Sequence, residues 1–124
     1  VATEGESQGN IYVADTWNQR VQVFDADLAF VREWNVDAWY GQSVVNKPFL
    51  AVDGQGRVYI TDPEGYRVAV FGEQGQVVAT FGLYGFDSLS FSLPAGIDVD
   101  GEGYVYVADT DGHRVLKFPP IGPQ

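Results

Sequence analysis

The chain has 124 residues, of which 45% are hydrophobic and 15% aromatic, and its 17 acidic and 7 basic residues give a net charge of −10. That is ample apolar material for one core, and no apolar run approaches the roughly 20 residues that span a bilayer as a helix. The lack of cysteine excludes disulfides, thiolate nucleophiles and cysteine-held zinc or iron–sulfur centres. The scarcity of Lys and Arg argues against nucleic acid or anionic lipid as partner.

In chain order, Val1 to Glu4 reads as a short, degraded strand, and Gly5 to Gly9 as a turn. Ile11 to Ala14 alternates as a strand, Asp15 to Arg20 forms a turn, and Val21, Val23 and Phe24 carry the next strand. Asp25-Ala26-Asp27 ends it, and Phe30 to Trp34 opens another. A loop with Asp37, Ala38, Trp39, Tyr40 and Gly41 leads to Pro48. Strands are then expected over Phe49 to Asp53, Arg57 to Thr61, Arg67 to Phe71 and Val77 to Phe81. From Pro94 the order repeats with Gly96 to Asp100, Tyr104 to Ala108 and Arg114 to Phe118, after which Pro119-Pro120 breaks the pattern.

No stretch holds a 3.6-residue apolar period, so the fold class is all-β. Three segments are copies of one another: NIYVADTWNQRVQVF, RVYITDPEGYRVAVF and YVYVADTDGHRVLKF. Asp15, Asp62 and Asp109 lie 47 residues apart (15 to 62, 62 to 109), as do Arg20, Arg67 and Arg114, and Phe24, Phe71 and Phe118. A fixed period of that length, filled by four antiparallel strands, is the mark of a propeller blade. Asn18 stands where the later copies have Gly65 and Gly112, which predicts one shared turn geometry with a left-handed residue at that position.

The third copy, with Pro94, Gly96, Ile97, Val99, Asp100, Gly103, Tyr106, Val107, Ala108, Asp109, Thr110, His113, Arg114, Val115 and Phe118, resembles the NHL repeat. The resemblance extends over nearly the whole chain. It implies four-stranded β-propeller blades, here about three blades or half of a six-bladed ring: residues 1–47, 48–93 and an incomplete 94–124 lacking its fourth strand. A chain that begins at Val1 within a repeat reads as a piece of something larger. Half a ring leaves apolar faces open at both ends, and three outcomes compete. Two copies pair about a two-fold axis, the missing blades belong to further sequence, or the half-ring distorts to close on itself.

The repeated Asp15/Arg20, Asp62/Arg67 and Asp109/Arg114 pairs could line a ligand site, but a carboxylate bridging turn amides and a two-pronged arginine is a sufficient structural role. Asp98, Asp100 and Glu102 could share a strand face toward Ca²⁺, yet the oxygen count is short of six to eight, and a solvated turn is the simpler reading. His113 is the single histidine. NHL-like lyases use several histidines around a metal, and this chain cannot supply them. No Gly-x-Ser-x-Gly elbow surrounds Ser43, Ser88, Ser90 or Ser92. No catalytic residue, metal or cofactor is therefore assigned.

Binding is expected on the side where the turns joining the second and third strands of each blade emerge with the inter-blade loops. It carries Trp17, Asn18, Trp39, Tyr40, Glu64, Tyr66, Tyr84, Asp111 and His113, an aromatic and polar set suited to a protein, peptide or glycan. Trp17 and Tyr66 are expected to be exposed, Phe86 and Phe91 to pack between blades. The opposite side, with Glu4, Glu6, Asp25, Asp27, Asp53, Glu73, Asp100 and Glu102, should be acidic and solvated. Two functions compete: a non-catalytic recognition or assembly module, and a segment of a propeller lyase or lactonase whose metal ligands lie mostly in missing blades. RNA binding, known for NHL propellers with basic faces, does not suit an acidic chain. The composition is compatible with an extracytoplasmic domain of a bacterial membrane or secreted protein.

Overall fold

The computed structural model describes residues 9–40, 47–82 and 90–122. Among these residues ten strands form three antiparallel meanders. The first sheet orders β1 (Ile11–Asp15), β2 (Arg20–Phe24) and β3 (Phe30–Asn35). The second orders β4 (Leu50–Val52), β5 (Val58–Asp62), β6 (Arg67–Phe71) and β7 (Val77–Phe81). The third orders β8 (Pro94–Val99), β9 (Val105–Asp109) and β10 (Arg114–Phe118). The expected strand at Val1–Glu4 lies outside the described residues. No helix among them is long and apolar enough to cross a membrane.

The register repeats with the sequence. Asp15 pairs with Arg20, Asp62 with Arg67 and Asp109 with Arg114, each pair closing its hairpin. A 3₁₀ turn fills the first two hairpins, Thr16–Asn18 and Pro63–Gly65. At the other end of the sheets, Gly56 and Gly103 take positive φ of 82° and 91° in the turns between β4 and β5 and between β8 and β9, which L side chains rarely adopt.

Strand alternation decides which face meets which neighbour. Val58 and Ile60 of β5, with Ala69 and Phe71 of β6, pack against Val21 and Val23 of the first sheet and Val36 and Trp39 of the connection that follows it. Tyr59, Val68 and Val70 point the other way and meet Val105, Val107 and Phe118 of the third sheet, with Phe91 between them. Both faces of the middle sheet are thus covered at its centre, and every residue of β5 is buried. The face of the first sheet away from the second leaves Ile11, Val13, Phe30 and Val31 exposed, and the far face of the third leaves Val115 exposed. About 25 cal/mol per Å² of apolar area removed from water favours the covered faces and is forgone at the open ones.

Candidate functional site

The three Asp-to-Arg turns stand at the same end of their sheets, beside the connections between sheets. Val36 N–H donates to the Gln19 carbonyl at 2.8 Å, and Thr110 N–H to that of Leu93 at 3.1 Å. The first connection is tied to the second sheet by Trp39, whose indole N–H donates to the Thr61 carbonyl at 3.0 Å.

Within each turn the arginine Nε donates to the aspartate Oδ2, at 2.8 Å for Arg20–Asp15, 2.9 Å for Arg67–Asp62 and 3.3 Å for Arg114–Asp109. The two-pronged contact expected of Arg20 does not form, because its Nη1 turns to Glu33 at 3.5 Å. Arg114 likewise sends Nη2 to the Ser90 carbonyl at 2.9 Å. The remaining lone pairs of each carboxylate are filled differently. Asp15 accepts from the Asn18 side-chain amide, Asp62 from Gly65 N–H, and Asp109 from the amides of Ser92 and Leu93 and the Ser92 hydroxyl.

These contacts set the acidities. The hydrogen bond from Arg20, then that from Asn18, holds Asp15 below the ordinary carboxylate value. Burial pushes Asp109 upward, but the Leu93 and Ser92 amides, with the Ser92 hydroxyl and Arg114, outweigh it and leave its pKa lowered. Carboxylates so saturated with internal donors fix a hairpin and have little capacity left for a ligand.

The left-handed residue is not where the sequence suggests. Asn18, Gly65 and Gly112 do not carry it; the next residue does in each copy, with φ of 53° at Gln19, 58° at Tyr66 and 54° at His113. Glycine is required one position earlier for lack of space. A Cβ at Gly65 would collide with the Asp62 carboxylate, and one at Gly112 would lie 2.8 Å from Asp109 Oδ2. In the first turn, Asn18 fills that space and bonds to the carboxylate instead.

Of the side chains expected on this end, Trp17 is 71% and Tyr40 83% exposed, and Asn18, Glu64, Asp111 and His113 are exposed as well. Tyr66 is half-buried against the second core rather than free. Trp39 is a correction: it is fully buried, because its indole fills the cleft between the first two sheets and its N–H finds a carbonyl there. Phe91 is buried between the second and third sheets. Tyr84 and Phe86 lie outside the described residues.

At the opposite end of the sheets stands a second repeated device. Asp53, expected to be solvated, is buried: its Oδ1 accepts from the amides of Gln55 and Arg57, its Oδ2 from Arg57 Nε at 2.6 Å and the Tyr59 hydroxyl at 2.8 Å. Burial, followed by the bond to Asp53, raises the Tyr59 pKa well above its ordinary value. Asp100 repeats the pattern, accepting from the amides of Glu102 and Tyr104 and the Tyr106 hydroxyl. Its oxygens are engaged by the chain itself. Among the described residues no group of three or more His, Cys, Asp or Glu is gathered as a metal site requires. The D-x-x-G-x-x-Y spacing common to both copies was the available signal.

Three side-by-side antiparallel meanders of three, four and three described strands, with strand alternation sealing each sheet onto the next, define a partial β-propeller. The NHL repeat model matches residues 5–24 and 91–118, stretches that include strands of the first and third sheets. No curated protein matches it in sequence. Among solved structures, a streptogramin B lyase superposes with a TM-score of 0.67 at 18% identity, over 94% of this chain and 35% of that one. The virginiamycin B lyase of Staphylococcus aureus gives 0.58 at 14% identity, over 93% of this chain and 39% of that one. A luciferin-regenerating enzyme gives 0.57 at 14% identity, over 88% and 36%. The chain thus spans little more than a third of the length of these propellers.

Proposed function

We propose that the chain is a non-catalytic NHL-type recognition module that binds a protein, peptide or glycan at the end carrying the three Asp-to-Arg turns. The observation that carries this reading is the triplet Gln19, Tyr66 and His113. Each is a non-glycine residue held at positive φ, a conformation costing about 1 kcal/mol that glycine would relieve. One backbone frame therefore holds a different side chain in each blade, exposed at His113 and half-buried at Gln19 and Tyr66, as a variable surface on a fixed scaffold does. Exposed Trp17 and Tyr40 beside it supply large amphipathic rings.

The test is binding of the chain to immobilised glycans and short peptides. Any ligand found should bind at least tenfold more weakly when Trp17, Tyr40 and His113 are each replaced by alanine, while Glu102→Ala at the other end leaves binding unchanged. Binding indifferent to the first three substitutions, or turnover of a substrate by the chain alone, sinks the proposal. A second reading is favoured by the enzymes among the structural neighbours: the segment would belong to a propeller lyase or related enzyme whose reactive groups sit in other blades. Stoichiometric bound metal in a longer protein containing this sequence would favour it.

A further inference from the structure

We propose that the Asp111–Gly112 step rearranges spontaneously in the folded chain to an isoaspartyl linkage, and that this makes the third hairpin turn a substrate for a methyltransferase specific for the α-carboxylate so created. The chain contains three Asp-Gly steps, at Asp53, Asp100 and Asp111. At such a step the glycine amide nitrogen can close a five-membered ring on the aspartate Cγ, since glycine has no Cβ to hinder the approach. The fold separates the three. Asp53 is buried, and its carboxylate accepts from the Gln55 and Arg57 amides at 2.9 and 3.0 Å, from Arg57 Nε and from the Tyr59 hydroxyl. Asp100 accepts from the Glu102 and Tyr104 amides, both at 2.9 Å, and from the Tyr106 hydroxyl. Each of these carboxylates is held by amides two and four residues on, and ring closure has to break those bonds first.

At Asp111 both reacting groups are free. The residue is exposed, and among the described residues its carboxylate makes no hydrogen bond or ion pair. The Gly112 N–H is free for a reason that distinguishes this turn from its copy. In the second sheet Gly65 N–H donates to Asp62 Oδ1 at 3.1 Å. In the third, Asp109 turns Oδ1 instead to the Leu93 amide at 2.7 Å and the Ser92 amide at 3.0 Å, and no acceptor among the described residues takes Gly112 N–H.

The chemistry balances without a cofactor. Gly112 N bonds to Asp111 Cγ, and its hydrogen leaves with the carboxyl hydroxyl as water, giving a succinimide. Water then breaks one of the two bonds from the ring nitrogen to a carbonyl carbon. Opening at Cγ restores aspartate, whereas opening at the α-carbonyl leaves the main chain running through Cβ and Cγ beside a free α-carboxylate. One water leaves and one enters, and nothing is oxidised or reduced. The added main-chain carbon falls between Asp109 and Arg114, next to the left-handed His113, and loosens the contact that closes this hairpin.

Ageing the 124-residue chain at neutral pH, then treating it with an isoaspartyl methyltransferase and labelled S-adenosylmethionine, tests this once the labelled peptides are mapped. In the folded chain the label at Asp111 should exceed that at Asp53 or Asp100 about tenfold, because the two held turns react only when they open. In urea, where those bonds are lost, the three steps should label alike to within about twofold. Asp111→Glu puts in the third turn the residue that the second carries as Glu64, and its longer side chain cannot close the five-membered ring, so the label in this turn should vanish. Equal labelling of the three steps in the folded chain overturns the proposal, as does preferential labelling at Asp53 or Asp100. So does label that survives Asp111→Glu, or a folded Asp111 that stays unlabelled while the unfolded chain reacts.

Discussion

The middle sheet and its two neighbours are copies of one repeat, yet they live in different environments. Ile60 and Val13 occupy the same repeat position and Val68 and Val115 another, but Ile60 and Val68 are fully buried while Val13 and Val115 face outward. The strand sequence makes all of these positions apolar; only a blade on the far side makes them core. In a propeller, burial is therefore a property of the interface between repeats more than of the repeat.

The largest contrast should come from truncation at matched positions. Ile60→Ala should cost about 2–5 kcal/mol by opening a cavity in the first core, whereas Val13→Ala in the dilute chain should cost less than about 0.5 kcal/mol. Urea midpoints of the two variants measure both. Equal costs would break the comparison.

The Asp-to-Arg turns sharpen it at a polar position. Asp109 is completely buried, and its removal takes the acceptor from four donors, the Ser92 amide and hydroxyl, the Leu93 amide and Arg114 Nε, so Asp109→Ala should cost about 2–4 kcal/mol. Asp15 is partly exposed and bound by side chains that water can satisfy, and Asp15→Ala should cost about 1 kcal/mol or less. Guanidinium unfolding of the pair would expose any reversal of that order.

Acid should act through the same groups. The folded pKa values of Asp15, Asp100 and Asp109 lie below the ordinary 3.8, so their stabilisation is complete above that value. It is lost as pH falls below 3.8 through the depressed folded values, because the unfolded chain takes up those protons first. The urea midpoint should drop on this acid limb, and Asp109→Asn should flatten the drop. A midpoint independent of pH there would contradict the assignment.

The smallest effect concerns the left-handed residues. His113→Gly should raise stability by about 0.5–1 kcal/mol, since the side chain is exposed and only its backbone is strained. Thermal melts would show the gain, and a loss would mean that the imidazole holds the turn.

Period, strand order and hairpin closure were legible because they rest on local alternation and on residues repeated in phase. Three features were not. Trp39 stands in a polar loop, and its burial depends on the Thr61 carbonyl 22 positions later. The left-handed position was displaced by one residue, because Gly65 and Gly112 are small to make room for a carboxylate rather than to free φ. Asp53 looked like a surface charge until Arg57 and Tyr59 closed over it; strand alternation alone does not say that a tyrosine hydroxyl two strand positions on will reach back to the turn.

The most direct test of the account is native-state hydrogen exchange at a concentration where the mass is that of one chain. Strands β2 and β6 are each hydrogen-bonded on both sides within their sheets, as are β5 and β9, so differences among them report the faces and not the ladders. The account predicts that β5 and β6 amides exchange more slowly than those of β9 and β2. Equal rates, or slower exchange in β2 or β9, would contradict it.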